Sequence, residues 1–413
     1  MAQAVRQISR MGQSPTYGWV VILTWMAIHM WGYLVMETLG LFLPSMREEE
    51  ELGLTPVREG LLGAAPQFTV LALSIPFGLY LSRFSAKLLT LASVVGAVLV
   101  IFMQAWAPVY GFLLLARALY GLSITLREPA RTLLLRMWIK PRQILIANAS
   151  IELLWGIGAA LFIVVPIIMK ALDGDWRRTM QVFGYATILV AVVWLLVGKE
   201  RPMPDAETER EIKEPVSIRS TLRYKELWLL AIGLVGVEMT FASFATFWPS
   251  HMKDTYGIDI QTSALIWAIG GMVAGPSGLG INLMVNRTGR RRTALRIGGA
   301  LISVTTVALL YSGSFPVLVA ISLLHGLSFT FFPVIFTIPF QLKGIRTREI
   351  AVAMGFLRSA LMVGAMGGPV VAGVLHELSD DRRLALTIVG MAGMSLTIGA
   401  FFLSSEWDRR PSD

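Results

Sequence analysis

The sequence predicts an all-α membrane protein of twelve transmembrane helices, arranged as two pseudo-symmetric six-helix bundles. Three observations carry that expectation. The 413-residue chain is 55% hydrophobic and 15% charged, whereas soluble domains carry roughly a quarter charged residues. Windows of about 20 mostly apolar residues, the length that crosses a bilayer, recur twelve times. The ends of the first and seventh windows also match, FLPSMREEEELGLTP against FWPSHMKDTYGIDIQT, with Pro44-Ser45 opposite Pro249-Ser250.

The first window, 18–45, follows a polar, basic stretch and runs too long for a cleaved leader, so it is expected to remain as a span. Windows at 59–82, 87–107, 109–136, 144–170 and 179–198 complete a first set of six. The one long polar stretch, 199–226, then serves as a cytoplasmic linker between halves 1–198 and 227–413. The second set occupies 227–250, 261–285, 293–312, 315–341, 349–375 and 384–404. Within the repeat, Ala147, Glu152 and Gly158 of span five fall in register with Ala353, Arg358 and Gly364 of span eleven. Two such halves flanking a midplane site are a recurrent plan of secondary transporters.

Composition excludes several functions. With no Cys there are no disulfides, thiolate metal sites or thiol chemistry. Four scattered His leave little for a metal centre, and no nucleophile–base pattern suggests an enzyme; no cofactor is expected. The net charge of +9 raises nucleic acid as a partner. With a cytoplasmic N-terminus, however, the inside segments hold about 24 of the 36 Lys and Arg and the outside loops about 8. Both termini are therefore expected in the cytoplasm, with lipid and not nucleic acid around the chain. The chain is expected to act as a monomer in a bacterial-type cytoplasmic membrane.

Charges inside spans are costly, so each must face protein or water. The stretch LREPARTLLLRMW, 126–138, tests this in span four. At 100° per residue from Arg117, Glu128 falls near 20°, Arg131 near 320° and Arg127 near 280°, an arc of about 100°. The helix thus has a polar stripe facing the bundle interior, with Leu115, Leu119, Leu122, Leu126 and Leu133 opposite. Arg127, Glu128 and Arg131 are expected to form an ion-pair network or gate, and Arg127 is also a substrate-contact candidate. Pro129 removes one backbone hydrogen bond there. Arg358 lies about ten residues into span eleven, near the midplane, where a guanidinium suits a carboxylate-like anion; a buried acid such as Glu152 or Glu238 is its alternative partner. Glu152, Glu238, Glu37 and His29 are candidates for proton coupling, Glu37 sharing a stripe of span one with His29 and Tyr33. Tyr33 and Trp155 are candidate cavity residues.

Several motifs resemble the major facilitator superfamily, and the resemblance covers essentially the whole chain. GLYLSRFSAK supplies Gly78, Arg83 and Lys87 of the family's motif between spans two and three, with Ser82 in place of the acid and Ser85 in place of the glycine. NRTGRRR keeps Arg287, Gly289, Arg290 and Arg291 of its second-half counterpart, with Asn286 in the acid's place. Arg117 and Gly121 match the family's span-four pair, and DWRRTMQVFG resembles its Trp-Arg entry to span six. The Gly and Pro pattern of the family's antiporters is degraded in span five. The resemblance implies gating or structural roles for Gly78, Arg83, Arg117, Gly121, Arg287 and Gly289, and alternating access of two halves. The expectation is a transporter of a small organic anion, coupled to protons as a symporter; the alternatives are a multidrug or cation exporter and a transporter-like ligand sensor.

Overall fold

The computed structural model describes residues 15–81, 83–139, 158, 160–201, 218–329, 332–342 and 344–408. Among these the chain is helical almost throughout, and eight helices are long and apolar enough to cross a membrane. The first predicted span is α1 (Pro15–Glu37) and α2 (Leu39–Met46), separated at Thr38, whose hydroxyl donates to the Val35 carbonyl. It is followed by α3 (Pro56–Leu81), α4 (Ala86–Ala105), α5 (Tyr110–Trp138), α6 (Val164–Ala171) and α7 (Trp176–Val197). After the polar stretch come α8 (Lys225–Tyr256), α9 (Ile260–Thr288), α10 (Arg291–Leu310), α11 (Phe315–Ser328), α12 (Thr347–Ser379), α13 (Arg382–Gly390) and α14 (Met394–Phe401).

Each predicted window with described residues contains helix, and three ends differ in an instructive way. The seventh continues to Tyr256, because Pro249 costs a single hydrogen bond that a packed helix absorbs. The tenth is broken after Ser328, and the twelfth carries a 3-10 turn at Met391–Gly393 between α13 and α14. Capping sets the loops: Ser85, Asp175, Asp259 and Asp381 accept from backbone N–H groups of the first turns of α4, α7, α9 and α13. Gly289 ends α9 at φ 75°, so this motif glycine is a left-handed helix terminus.

Interhelical contacts repeat between the halves. In the first, Arg117 Nε donates to the Leu62 carbonyl at 3.1 Å, and a Cβ on Gly121 would overlap the Pro66 carbonyl. In the second, Ser322 Oγ donates to the Ile266 carbonyl at 2.6 Å, and a Cβ on Gly326 would overlap the Gly270 carbonyl. Gly40 and Ala245, on the matching helices α2 and α8, touch one another. The main seam between the halves is α3 against α12 and α2 against α8. Gly60 lies on the Pro369 carbonyl, Gly373 on the Pro56 carbonyl, and Gly63 by Thr246 Oγ1. Small residues let these backbones approach closely. All lie toward the face remote from Tyr17 and Asp408, which share the opposite, terminal face.

Gly121→Ala is expected to lower the thermal stability of the detergent-solubilised protein by about 1–3 kcal/mol, the cost of overpacking. Gly111→Ala, where a Cβ meets nothing within 4 Å, leaves stability unchanged or slightly raised. Thermal unfolding by circular dichroism checks the pair, and equal losses would contradict the close approach at Gly121.

Candidate functional site

The site begins with the way α5 holds α1. Arg117 Nη1 donates to the Met36 carbonyl at 3.0 Å, Tyr120 Oη to Gly32 at 2.9 Å, and Arg127 Nη1 to Ile28 at 2.9 Å. The acceptors are spaced by four residues and therefore form one stripe along α1. The donors descend α5 as the acceptors ascend α1, so the helices lie antiparallel with three side chains of one fastened to the backbone of the other. Gly32 is central: a Cβ there would overlap the Arg127 guanidinium. Arg127 is 2% exposed, and its Nε and Nη2 have no partner among the described residues.

That fastening sets His29 against Glu128. His29 stacks on Trp25 with ring centroids 5.0 Å apart, and its ring lies 4.9 Å from that of Tyr33. His29 Nε2 is 3.8 Å from Glu128 Oε1, while Arg358 Nη1 reaches Glu128 Oε2 at 3.5 Å. Glu128 thus joins α1 and α5 to α12 across the seam. The Arg358 side chain is 58% exposed and that of Glu128 25%. A half-open guanidinium at the seam of a membrane protein can bind an anion in a way that a fully buried one cannot.

The expected residues separate accordingly. Arg358 meets the acid of the 126–138 stretch, not Glu238, and Arg127 meets a carbonyl of α1 in place of an acid. Arg131 is half-buried beyond them. Glu238 is 8% exposed on α8, against Gly364 of α12, and makes no ion pair among the described residues. Glu37 lies at the junction of α1 and α2, on the seam. Arg83 covers the Tyr80 ring at 4.5 Å, Gly78 lies near the end of α3, and Arg287 is exposed in the last turn of α9. Glu152 and Trp155 lie outside the described residues. On the leucine side of α5, Leu115 is 53% exposed as expected, but Leu133 is 8% exposed, because beyond Pro129 the helix packs into a cluster with Trp25, Leu134 and Trp138.

One functional group was missed in the sequence. At the face remote from the termini, Arg47 pairs with Glu59 and, at 3.0 Å, with Asp254; Asp254 also pairs with Arg382, and Lys253 lies 3.7 Å from Glu48. Burial works against the charge on Arg47, but the hydrogen bond and charge of Glu59, with Asp254 behind it, outweigh burial and hold its pKa above that of an ordinary arginine. This network latches the two halves where the glycines already bring them together. Its sequence signal was the acid run REEEE followed by PVRE, which reads equally well as a solvated loop.

These features first define a class, a polytopic helical membrane protein of two like halves with opposed charges at their seam. The chain belongs to the Major Facilitator Superfamily, whose model matches residues 25–342. That family consists of transporters, not enzymes. The chain is 21% identical over 257 residues to the uncharacterized transporter YybO and 24% over 244 residues to the hexuronate transporter, both of Bacillus subtilis strain 168. These matches cover 56% and 55% of this chain and 57% and 56% of the two relatives. It is 23% identical over 380 residues, 85% of each chain, to the probable sulfoacetate transporter SauU of Cupriavidus necator. In fold it resembles an inward-facing, unoccupied bacterial homolog of the human lysosomal transporter Spinster, with TM-score 0.73, 14% identity and 94% and 95% of the chains covered. It also resembles the nucleoside transporter NupG, with TM-score 0.74, 13% identity and 92% and 99% covered.

Loss of the latch should open the remote face. With no native thiol, a single Thr246→Cys at the seam reports on it, and Arg47→Ala in that background should speed its alkylation on the order of fivefold, the shift that about 1 kcal/mol makes. An unchanged rate would contradict a latch.

Proposed function

We propose that the chain carries a small organic anion, with a carboxylate or sulfonate head, across a bacterial cytoplasmic membrane by alternating access of its two halves, together with a proton. One observation carries the reading: Arg358 is 58% exposed at the seam and is held by Glu128 at 3.5 Å. A guanidinium is a planar fork of donors that grips a carboxylate or sulfonate through parallel bonds. An arriving anion competes with Glu128 for that fork. Once Arg358 turns to the anion, a proton taken up at the Glu128–His29 pair balances the charge left behind, so the two move together. The names of two relatives, a hexuronate transporter and a probable sulfoacetate transporter, support an anionic cargo.

Other residues take supporting roles in this reading. Arg127, Arg117 and Tyr120 hold α1 in place, Tyr33 walls the cavity, and Trp155 of span five is kept as a candidate substrate contact. Both termini are cytoplasmic, so the latch formed by Arg47 and Asp254 closes the outer face and the cavity opens inward. Glu152 is kept as a second proton site. A cation exporter needs an acid open to the cavity, whereas Glu238 is 8% exposed and Glu128 already holds a cation.

Uptake into proteoliposomes tests this, with glucuronate, galacturonate and sulfoacetate as first cargoes. Arg358→Ala should weaken transport of the accepted anion at least about tenfold, since hydrogen bonds to a charged group contribute about 1.5–3 kcal/mol. Full transport by Arg358→Ala would overturn its role, and binding without accumulation would favour a sensor.

A further inference from the structure

Arg127 is a buried cation with most of its donors idle. It is 2% exposed, Nη1 donates to the Ile28 carbonyl at 2.9 Å, and neither Nε nor Nη2 has a hydrogen-bond partner among the described residues. Arg117, buried as deeply on the same helix, places both Nε and Nη1 on carbonyls. Nor does an acid answer Arg127: its neighbour Glu128 turns one oxygen toward His29 and the other toward Arg358. A guanidinium left so in a bilayer is costly, and idle buried donors call for a ligand. The two idle groups are also the pair whose N–H bonds run parallel along one edge of the fork. That edge takes both oxygens of a carboxylate or sulfonate.

Arg127 and Arg358 share neighbours. The Arg127 guanidinium rests on Gly32 of α1, one turn from the His29 that faces Glu128. The Tyr33 hydroxyl, on the next residue, feels the charges of Arg127, Glu128 and Arg358 together. Charge decides what such a pair holds. The two arginines outnumber Glu128; Glu37, the other acid of that stripe, is answered by the charge of Arg117, and Arg131 has a partner of its own. If a one-headed anion takes Arg358 and a proton settles on the Glu128–His29 pair, the charge of Arg127 stays unanswered in the bilayer. A hydroxyl would accept from Arg127 without neutralising it. We infer that Arg127 is a second anion-binding group and that the cargo is a compact dianion, with one acidic head on Arg358 and the other on the Nε–Nη2 edge of Arg127. Nη1 keeps its bond to Ile28, so α1 is still held. Nε and Nη2 are shielded in this arrangement, and the second head reaches them as the seam beside Glu128 opens. This second head rests on the anion reading of Arg358, yet can be absent while that reading stands.

Isothermal titration of the purified full chain with matched pairs of anions tests it. Sulfoacetate and isethionate share a sulfonate and a two-carbon skeleton, and glucarate and gluconate share a six-carbon chain; in each pair a carboxylate replaces a hydroxymethyl group. In whichever pair binds, the two-headed member should bind at least about tenfold more tightly than its partner, equivalent to about 1.4 kcal/mol. Arg127→Gln should bring that ratio to near one. Replacing a residue that only fastens α1 would instead weaken both members alike and leave the ratio intact. Circular dichroism shows whether the variant is folded; if it is not, the ratio in the unmodified chain decides alone. Equal binding within the pairs, or a ratio that survives in folded Arg127→Gln, would overturn the second head and leave the anion reading standing. No binding by any of the four would overturn both.

Discussion

Three hydrogen bonds from α5 to the backbone of α1 govern the rest of the molecule. Arg117, Tyr120 and Arg127 donate to the carbonyls of Met36, Gly32 and Ile28, a stripe with a period of one helical turn. In a bilayer a charged donor without an acceptor is expensive, and carbonyls on a helix surface are always at hand. Two guanidiniums are thereby buried without spending an acid on either. Glu128 faces His29 on one side and Arg358 of the other half on the opposite side. Glycine at position 32 is the steric condition for the whole arrangement, since any side chain there would occupy the space of the Arg127 guanidinium.

The seam that Glu128 crosses has two regimes. Toward the face remote from the termini, glycines bring α3 onto α12 and α2 onto α8, and Arg47, Glu59, Asp254 and Arg382 close over them. Deeper in, contact across the seam passes to a half-exposed ion pair that a ligand can divide. Tight backbone packing helps to hold the remote face shut, whereas an ion pair with an exposed member is exchanged at small cost. The matching contacts of Gly121 with Pro66 and Gly326 with Gly270 give each half the same internal rigidity. In the proposed function, alternating access of two stiff halves uses that division.

Much of this was legible in the sequence, for identifiable reasons. Apolar windows of bilayer length fixed the spans, because lipid imposes length and composition together. The arc holding Arg117, Arg127 and Glu128 on span four followed from helical geometry alone, and the match of Pro44 with Pro249 from the repeat between the two halves. The partners of those charges were not legible. A backbone carbonyl has no sequence signature, so Arg127 gave no sign that it meets Ile28, and Arg358 gave no sign that its acid would be Glu128, 230 positions earlier on another helix. The latch was hidden for the same reason, Arg47 and Asp254 being 207 residues apart. The leucine face of span four was read correctly at Leu115 and incorrectly at Leu133, because periodicity gives a direction but not the neighbour that fills it.

The central claim is that an anion takes Arg358 from Glu128. The most direct measurement is a double-mutant cycle on anion affinity by isothermal titration, using Glu128→Gln, Arg358→Ala and the two together. With its competitor removed, Glu128→Gln should bind the transported anion more tightly than the unmodified chain, and the double variant should bind no better than Arg358→Ala alone. Weakening by Glu128→Gln to the level of Arg358→Ala, or a tightening that survives without Arg358, would contradict the account.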